Sequence, residues 1–417
     1  MVNEFFINLV ENLQNQNVKY IIPSQDSIKD TIIPIMVKKV YHEIKEEIKS
    51  CKGITGTIDG WTSSIGGNQF LSFTLNYLKN DKLVSRTVKL STEFQSHQSI
   101  HIRDFINEVI NEFELNRFVP FPLVTDNAPD MLKAVRLAHL IEVGCICHRY
   151  QLIIEETIEN CELFKKLIKK CENISVKIKR SEQLKRALRE AQTACYGTYL
   201  NVVISVVTRW FSSLKMVERV LILKNEINGI VEAIADFEDP DMKEKFIEEF
   251  SLNNEEIMML NFMIKIIYLI FEKSEQMSSE SEPTLSFVIP FHKKLIAQLE
   301  LELTKINTND ISTMVNKTSI IKYKNKVYES YIEFEMDGLD YSSIDQYDRI
   351  DNIHFIETEK QNFINEMLLS IQNKLINTNN IRTNKEMIIA TVLNPGFRLE
   401  FFYNEELENV KNYVMNY

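Results

Sequence analysis

Residues 53–91 read GITGTIDGWTSSIGGNQFLSFTLNYLKNDKLVSRTVKLS, and the period of this stretch decides the fold. Leu71, Phe73, Leu75 and Tyr77 alternate with Ser72, Thr74 and Asn76, the signature of a half-buried strand. Residues 54–59 alternate in the same way and are expected to end at Asp59, ahead of a polar turn over 60–68. Asn80-Asp81 supplies the next turn, and 84–90 reads as a third strand. A three-stranded meander is predicted.

Working outward, Ile102, Phe105, Ile106, Val109, Ile110 and Phe113 form one apolar helical stripe. A short apolar run over 121–125 ends at Asp126-Asn127. A helix over about 128–140, an apolar segment over 141–147 and a long helix from about Arg149 follow. The order β-β-β-α-β-α-β-α predicts a mixed sheet with helices on its faces. Upstream, residues 1–50 read as helical. Ser27 is the expected cap of a helix over 28–49, which Pro34 kinks or restarts. Beyond Thr208 strand signals nearly vanish. Helical patterns cover 211–237, 254–273, 285–303, 316–335 and 356–376, with Asp239-Pro240, 278–283 and 337–351 as linkers.

A length of 417 residues suggests two or three domains, and 44 % apolar with 26 % charged residues is ordinary globular composition. The first residues lack the features of a signal peptide, and no apolar stretch is long enough to cross a bilayer, so no membrane partner is expected. Six cysteines without a paired framework suggest reduced thiols, in the cytosol or nucleus. No CxxC leads to a downstream HxxxH, so no zinc is expected. The net charge of −11 argues against a uniformly nucleic-acid-binding surface, yet 165–189 carries ten bases against two acids, a local +8. Such a run reads either as a solvated helix face or as a phosphate-contacting one.

Asp59 and Asp126 sit where the first and fourth strands are expected to end. If those strands are neighbours, both carboxylates emerge at one edge of the sheet. Hard oxygen ligands so placed suit Mg²⁺ or Mn²⁺, and a pair of such ions activates water and stabilises the leaving oxygen of a phosphodiester. Asp-Gly and Asp-Asn are equally good turn formers at strand ends.

The blocks Thr57-Ile-Asp-Gly-Trp-Thr-Ser63, Val124-Thr-Asp-Asn-Ala-Pro-Asp-Met-Leu-Lys-Ala134 and Cys145-Ile-Cys-His-Arg-Tyr-Gln-Leu152 resemble, in order, three blocks of the hAT transposases. Thr208-Arg-Trp-Phe-Ser-Ser213, Ser281-Glu-Pro-Thr-Leu-Ser-Phe-Val-Ile-Pro290 and Ala390-Thr-Val-Leu-Asn-Pro-Gly-Phe-Arg398 resemble three more. The resemblance implies an α/β RNase H-like mixed sheet interrupted by a large all-α insertion. The expected organisation is a helical segment over 1–50, a catalytic core over 51–207, the insertion over 208–390, and a returning core region over 391–417. It implies metal-dependent DNA cleavage and strand transfer in the nucleus, with transposon ends and flanking DNA as partners. By position, Asp59 and Asp126 match the first two members of the catalytic triad and His148 the CxxH histidine near the scissile phosphate. Arg209 and Trp210 match the pair whose tryptophan stacks on an extruded base, although alone Trp210 reads as a core aromatic. In this setting Lys165, Lys169, Lys177, Arg180 and Arg186 become candidate phosphate contacts.

The resemblance also marks departures. No Ser-Glu-Arg-like block carrying the third carboxylate occurs before Tyr417, and neither a BED-type zinc finger nor the C-terminal dimerisation segment is found. The two-metal site is therefore expected to be incomplete, cleavage defective and self-association weakened. The competing expectation is a domesticated, non-catalytic scaffold that binds DNA or protein. A DEDD-type exonuclease requires an acid two residues after the first aspartate, where this chain has Trp61.

Overall fold

A computed structural model describes residues 23–63, 67–92, 98–205, 211–235, 239–279, 282–307, 346–377, 381, 384–394, 397, 399–403 and 406–415. The chain divides into two compact units, Met1–Val143 and Gly144–Tyr417.

In the first unit a helix starts at Gln25–Ser27, widens into π-helical turns over Ile28–Ile32 and continues as α1, Ile33–Lys49. The expected cap, Ser27, lies inside this helix. Ser24 is the cap, its hydroxyl accepting the Ser27 N–H at 3.1 Å. Pro34 has no N–H to donate and its ring crowds the preceding turn, and the wider π turns directly before it make room. At the other end, Arg117 Nη2 donates to the carbonyls of Ile48 at 2.6 Å and Lys49 at 3.0 Å, satisfying acceptors that the helix terminus leaves open.

The sheet contains β1 (Ile54–Thr62), β2 (Gln69–Lys79), β3 (Lys82–Ser91), β4 (Pro122–Thr125) and β5 (Ile141–Gly144), in the order β3-β2-β1-β4-β5. The predicted meander is present as two antiparallel pairs, turned at Asn80 and Asp81, both with positive φ as a tight hairpin turn demands. β1 and β4 run parallel. The expected end of the first strand at Asp59 is corrected, because β1 continues three residues to Thr62. Trp61 stacks on its cross-strand partner Phe70, with ring centroids 5.2 Å apart and planes 8° from parallel, which favours continued pairing through this stretch.

One face of the sheet carries Ile54, Gly56 and Ile58 of β1, Leu71, Phe73, Leu75 and Tyr77 of β2, and Leu123 of β4. It is buried with Ile102, Phe105, Ile106, Val109 and Ile110 of α2 (Ser99–Glu112) and Ala134 and Val135 of α3 (Pro129–Leu137). Each such large apolar side chain contributes about 1.5–3 kcal/mol on full burial. The closest approach is at Gly56, where a Cβ would stand 2.6 Å from Leu123 Cδ1 and 3.1 Å from the Phe73 ring. A side chain there would force the Leu123 methyl and the Phe73 ring to shift, because these neighbours on β2 and β4 already fill the space above Gly56.

The second unit is helical among its described residues. Its first helices are α4 (Ile146–Asn160), α5 (Glu162–Arg180) and α6 (Glu182–Tyr196). The long helix expected from Arg149, including its basic stretch, is thus three segments. Ser181 ends α5 and caps α6, accepting the Leu184 N–H at 3.2 Å. The expected 211–237 helix is likewise two, α7 (Ser212–Ile222) and α8 (Lys224–Ile234). Asp239-Pro240, read as a linker, instead begins α9 (Pro240–Phe250), with Asp239 as cap and proline in the first turn, where a missing N–H costs nothing. α10 (Asn254–Met277) opens on a reciprocal capping box between Asn253 and Glu256. α11 (Val288–Asn307), α12 (Gln346–Ile371), α13 (Lys385–Leu393) and α14 (Leu407–Met415) follow, so the described end of the expected 337–351 linker is helical. The helix predicted over 316–335 lies outside the described residues. The core of this unit packs Tyr150 edge-on to Phe291 at 5.2 Å and Phe164 against Phe363 at 4.4 Å.

Substituting Gly56→Val is expected to destabilise the first unit by about 1–3 kcal/mol through overpacking, read as a lower denaturation midpoint. A second outcome concerns Glu47, which joins α1 to the meander: it accepts from Tyr77 Oη at 2.5 Å and Lys79 Nζ at 2.8 Å and lies 3.8 Å from Arg86. Burial raises its pKa, but these hydrogen bonds and charges outweigh burial and leave it lowered from 4.5. Its contribution to stability is therefore present above the unfolded value and lost as pH falls through the folded one. Denaturation measured against pH should show Glu47→Gln narrowing its gap from the parent protein on acidification.

Candidate functional site

The pairing of β1 with β4 matches Gly56 to Leu123 and Thr57 to Val124. Continuing two residues along both parallel strands sets Asp59 beside Asp126, the residue that follows β4. Alternation places both on the face opposite Gly56 and Leu123, away from the core of the first unit. Neighbouring strands lie about 4.8 Å apart, so the backbone brings two carboxylates to one level of the sheet. Asp59 is exposed, and Asp126 is half-buried and accepts the Ala128 N–H at 3.1 Å through one carboxylate oxygen. That bond shapes the turn into α3, so the turn-forming role of Asp126 is realised.

The same face is polar and hydrogen-bonded. Asn76 Nδ2 donates to Thr57 Oγ1 at 3.3 Å, and the hydroxyls of Thr74 and Thr87 pair at 3.1 Å. Trp61, two residues beyond Asp59 and on its face, is 40 % exposed and presents an aromatic surface beside the carboxylates. Sequence reading missed it because Gly60 was taken as the start of a turn. The signal was the period-two series Thr55, Thr57, Asp59, Trp61.

The donor set of two hard carboxylates fits two ligands of one divalent cation and falls short of a full two-metal set. Among the described residues no group of three or more His, Cys, Asp or Glu side chains is placed to hold a metal ion.

His148 belongs to the second unit. It is half-buried in the first turn of α4, between buried Cys147 and Arg149, on a helix rather than at a strand end. The blocks around it do meet within this unit. Cys147 Sγ donates to the Ser274 carbonyl at 3.6 Å and lies 3.7 Å from Ser278 Oγ, while its hydrogen bond with Cys145 and its burial push the thiol pKa up. Gln151 Oε1 accepts the N–H of Phe211 at 3.4 Å. Ser286 accepts from Thr391 Oγ1 at its carbonyl (3.4 Å) and from Asn394 Nδ2 at its hydroxyl (2.9 Å), joining the two latest sequence blocks. Arg209 and Trp210 lie outside the described residues.

Most of the basic run is engaged within the chain. Lys165 pairs with Glu159, Lys169 with Glu172 at 2.7 Å, Lys185 with Glu182 at 2.5 Å and Arg186 with Glu190 at 3.8 Å. Lys177 lies 5.1 Å above the Phe250 ring, and half-buried Lys170 grips both oxygens of Glu256 at 2.7 and 2.8 Å. Lys179 and Arg180 end α5 exposed, with no ion pair among the described residues, where they also complement the negative end of the helix dipole. Lys170→Ala is accordingly expected to cost about 1–3 kcal/mol, whereas Arg180→Ala should stay within about 0.5 kcal/mol, both measured by denaturation.

Comparison with known proteins bears on the second unit. No match was found among curated proteins. Residues 143–250, about a quarter of the chain and ending with α9, match the family described as the ZBED1 RNase-like helical domain. That similarity points to a relation with the transposase-derived hAT/ZBED proteins.

Proposed function

We propose that this chain is a transposase-derived protein whose ancestral reaction was metal-dependent DNA cleavage and strand transfer, with Asp59 and Asp126 forming the remaining cation seat. The observation that carries the reading is the parallel register of β1 with β4, which, continued two residues, brings Asp59 and Asp126 level on one face. The strand order β3-β2-β1-β4-β5, an antiparallel meander joined to a parallel neighbour, supports an RNase H-like reading of the sheet. The match over 143–250 supports the same ancestry from the other unit.

In this reading Asp59 and Asp126 would hold a Mg²⁺ or Mn²⁺ ion, whose chemistry is to polarise a phosphodiester and activate water. Asp126 is held by its bond to the Ala128 N–H, which leaves its second oxygen for the cation. Trp61 offers a stacking surface to an unpaired base, worth about 1–3 kcal/mol per base where such stacking occurs. His148, Arg209 and Trp210 are assigned by resemblance as DNA-end contacts. Lys179 and Arg180, at the exposed end of α5 and without an ion pair among the described residues, are the first phosphate contacts to test. Lys165, Lys169 and Arg186 sit in exposed pairs worth little, so a phosphate can displace their partners, whereas Lys170 is held in a half-buried pair with Glu256.

Two carboxylates leave a cation short of ligands, and we expect the 417-residue chain to bind metal and DNA without efficient cleavage. A non-catalytic binding scaffold is the second reading, favoured by the number of bases that already have acidic partners. The test combines Mn²⁺ titration with incubation on a hairpin-forming DNA end. Asp59→Ala and Asp126→Ala should each weaken Mn²⁺ binding about tenfold or more, the loss of roughly 1.4 kcal/mol. Unchanged Mn²⁺ affinity in both variants would remove the cation seat. Efficient cleavage by the parent chain, abolished in Asp59→Ala, would overturn the expectation of a defective enzyme.

A further inference from the structure

Cys145 and Cys147 bracket the start of α4, and their thiols are in hydrogen-bond contact. Inside a helix, residues two apart point to different sides. Here Cys145 is the N-cap, with extended backbone at φ −60° and ψ 118°, and its side chain makes no capping bond to the helix. A side chain in that position turns back over the first turn, where Cys147 stands. Helical Ile146 between them sets the Cα spacing at about 5.4 Å, inside the range of about 4.4–6.8 Å that a disulfide bridges.

The two thiols have different surroundings. Cys145 is half-buried, whereas Cys147 is 4 % exposed. Cys147 Sγ donates to the Ser274 carbonyl at 3.6 Å and lies 3.7 Å from Ser278 Oγ, tying α4 to the end of α10. Its hydrogen bond with Cys145 and its burial hold the Cys147 thiol protonated. Ser278 Oγ also donates to the Ser274 carbonyl, at 2.9 Å, so that acceptor stays satisfied when the Cys147 hydrogen is lost. Elsewhere, burial pushes the thiols of Cys161 and Cys171 up to about 11 and about 12, while Cys195 is exposed.

We propose that Cys145 and Cys147 form a redox-modification site, closed to a disulfide by exchange with a small-molecule disulfide such as oxidised glutathione. The Cys145 thiolate attacks a sulfur of the oxidant, giving a mixed disulfide and releasing the first small thiol. Cys147 then gives its proton to solvent, and its sulfur attacks the Cys145 sulfur and expels the second. An S–S bond forms in the protein as the S–S bond of the oxidant breaks, and the hydrogens of the protein thiols end on the released pair. Closure removes the Cys147 hydrogen bond to α10, so oxidation loosens α4 from the last turn of that helix. So short a loop gains little chain-entropy stabilisation, which makes the bridge a switch rather than a staple.

The test incubates the reduced full chain with oxidised glutathione, alkylates the remaining thiols and reads the cysteine peptides by mass spectrometry. The peptide holding Cys145 and Cys147 should lose two hydrogens and resist alkylation, while exposed Cys195 gains glutathione and reports that the reagent is active. In Cys147→Ser the reaction should stop at a glutathione adduct on Cys145, and in Cys145→Ser the buried Cys147 should stay unmodified. Amide hydrogen exchange over residues 274–278 should rise about twofold or more in the bridged chain. A parent chain that accumulates the Cys145 adduct without closing, or whose pair stays unreacted while Cys195 is modified, would overturn the proposal. So would a bridged chain with unchanged exchange over 274–278. Should Cys147→Ser fail to fold, the parent chain and Cys145→Ser, altered at a half-buried position, decide the outcome.

Discussion

The first unit depends on the close passage of β1 over β4 and β2 at Gly56. Any side chain there would occupy space already held by Leu123 and the Phe73 ring. With that space filled from both neighbours, the parallel pair locks at Gly56 with Leu123 and Thr57 with Val124. A slip of one residue would turn Ile54 and Ile58 out of the core and send Asp59 into it, at a cost no nearby contact offsets. The apolar face therefore dictates where the carboxylates emerge. Asp59 and Asp126 owe their place on the polar face to the packing of the opposite, apolar face.

In the second unit a different kind of constraint operates, because side-chain to backbone bonds tie distant segments together. Gln192 accepts the Leu200 N–H and donates to the Leu200 carbonyl, and Asn228 exchanges the same pair of bonds with Leu252. Ser286 does comparable work with Thr391 and Asn394, more than a hundred positions away. Buried amides and hydroxyls are expensive unless bonded, so each such residue specifies one arrangement of its helices. Two such contacts, Gln151 with Phe211 and Ser286 with Thr391 and Asn394, join blocks that are far apart in sequence.

The electrostatics join the two themes. The basic stretch of this acidic chain reads from sequence either as a solvated helix face or as a phosphate-contacting one. In the fold that stretch is cut at Ser181, and its bases turn largely toward acids of their own or neighbouring helices. Lys170 is the clearest case, since the acid it holds also caps α10. Among the described residues, Lys179 and Arg180 at the end of α5 reach solvent without an ion pair.

Local rules made much of the fold legible. Period two named the strands of the meander, Asn80-Asp81 named its turn, and the apolar stripe from Ile102 to Ile110 named α2, because each depends on neighbours close in sequence. The same rules failed at element ends. Asp59 reads as a strand terminus because Gly60 reads as a turn, whereas cross-strand pairing with β2, including the Trp61–Phe70 stack, carries β1 onward. Ser27, Asp239-Pro240 and the unbroken basic helix were misread for the same reason, since caps and breaks are decided by which backbone groups find partners. The sequence by itself determined that one acid belongs to an alternating segment and another follows a short apolar run, and that strand patterns stop well before the chain does. Tertiary structure alone decided that those acids share a face, because register is set by packing against residues far along the chain.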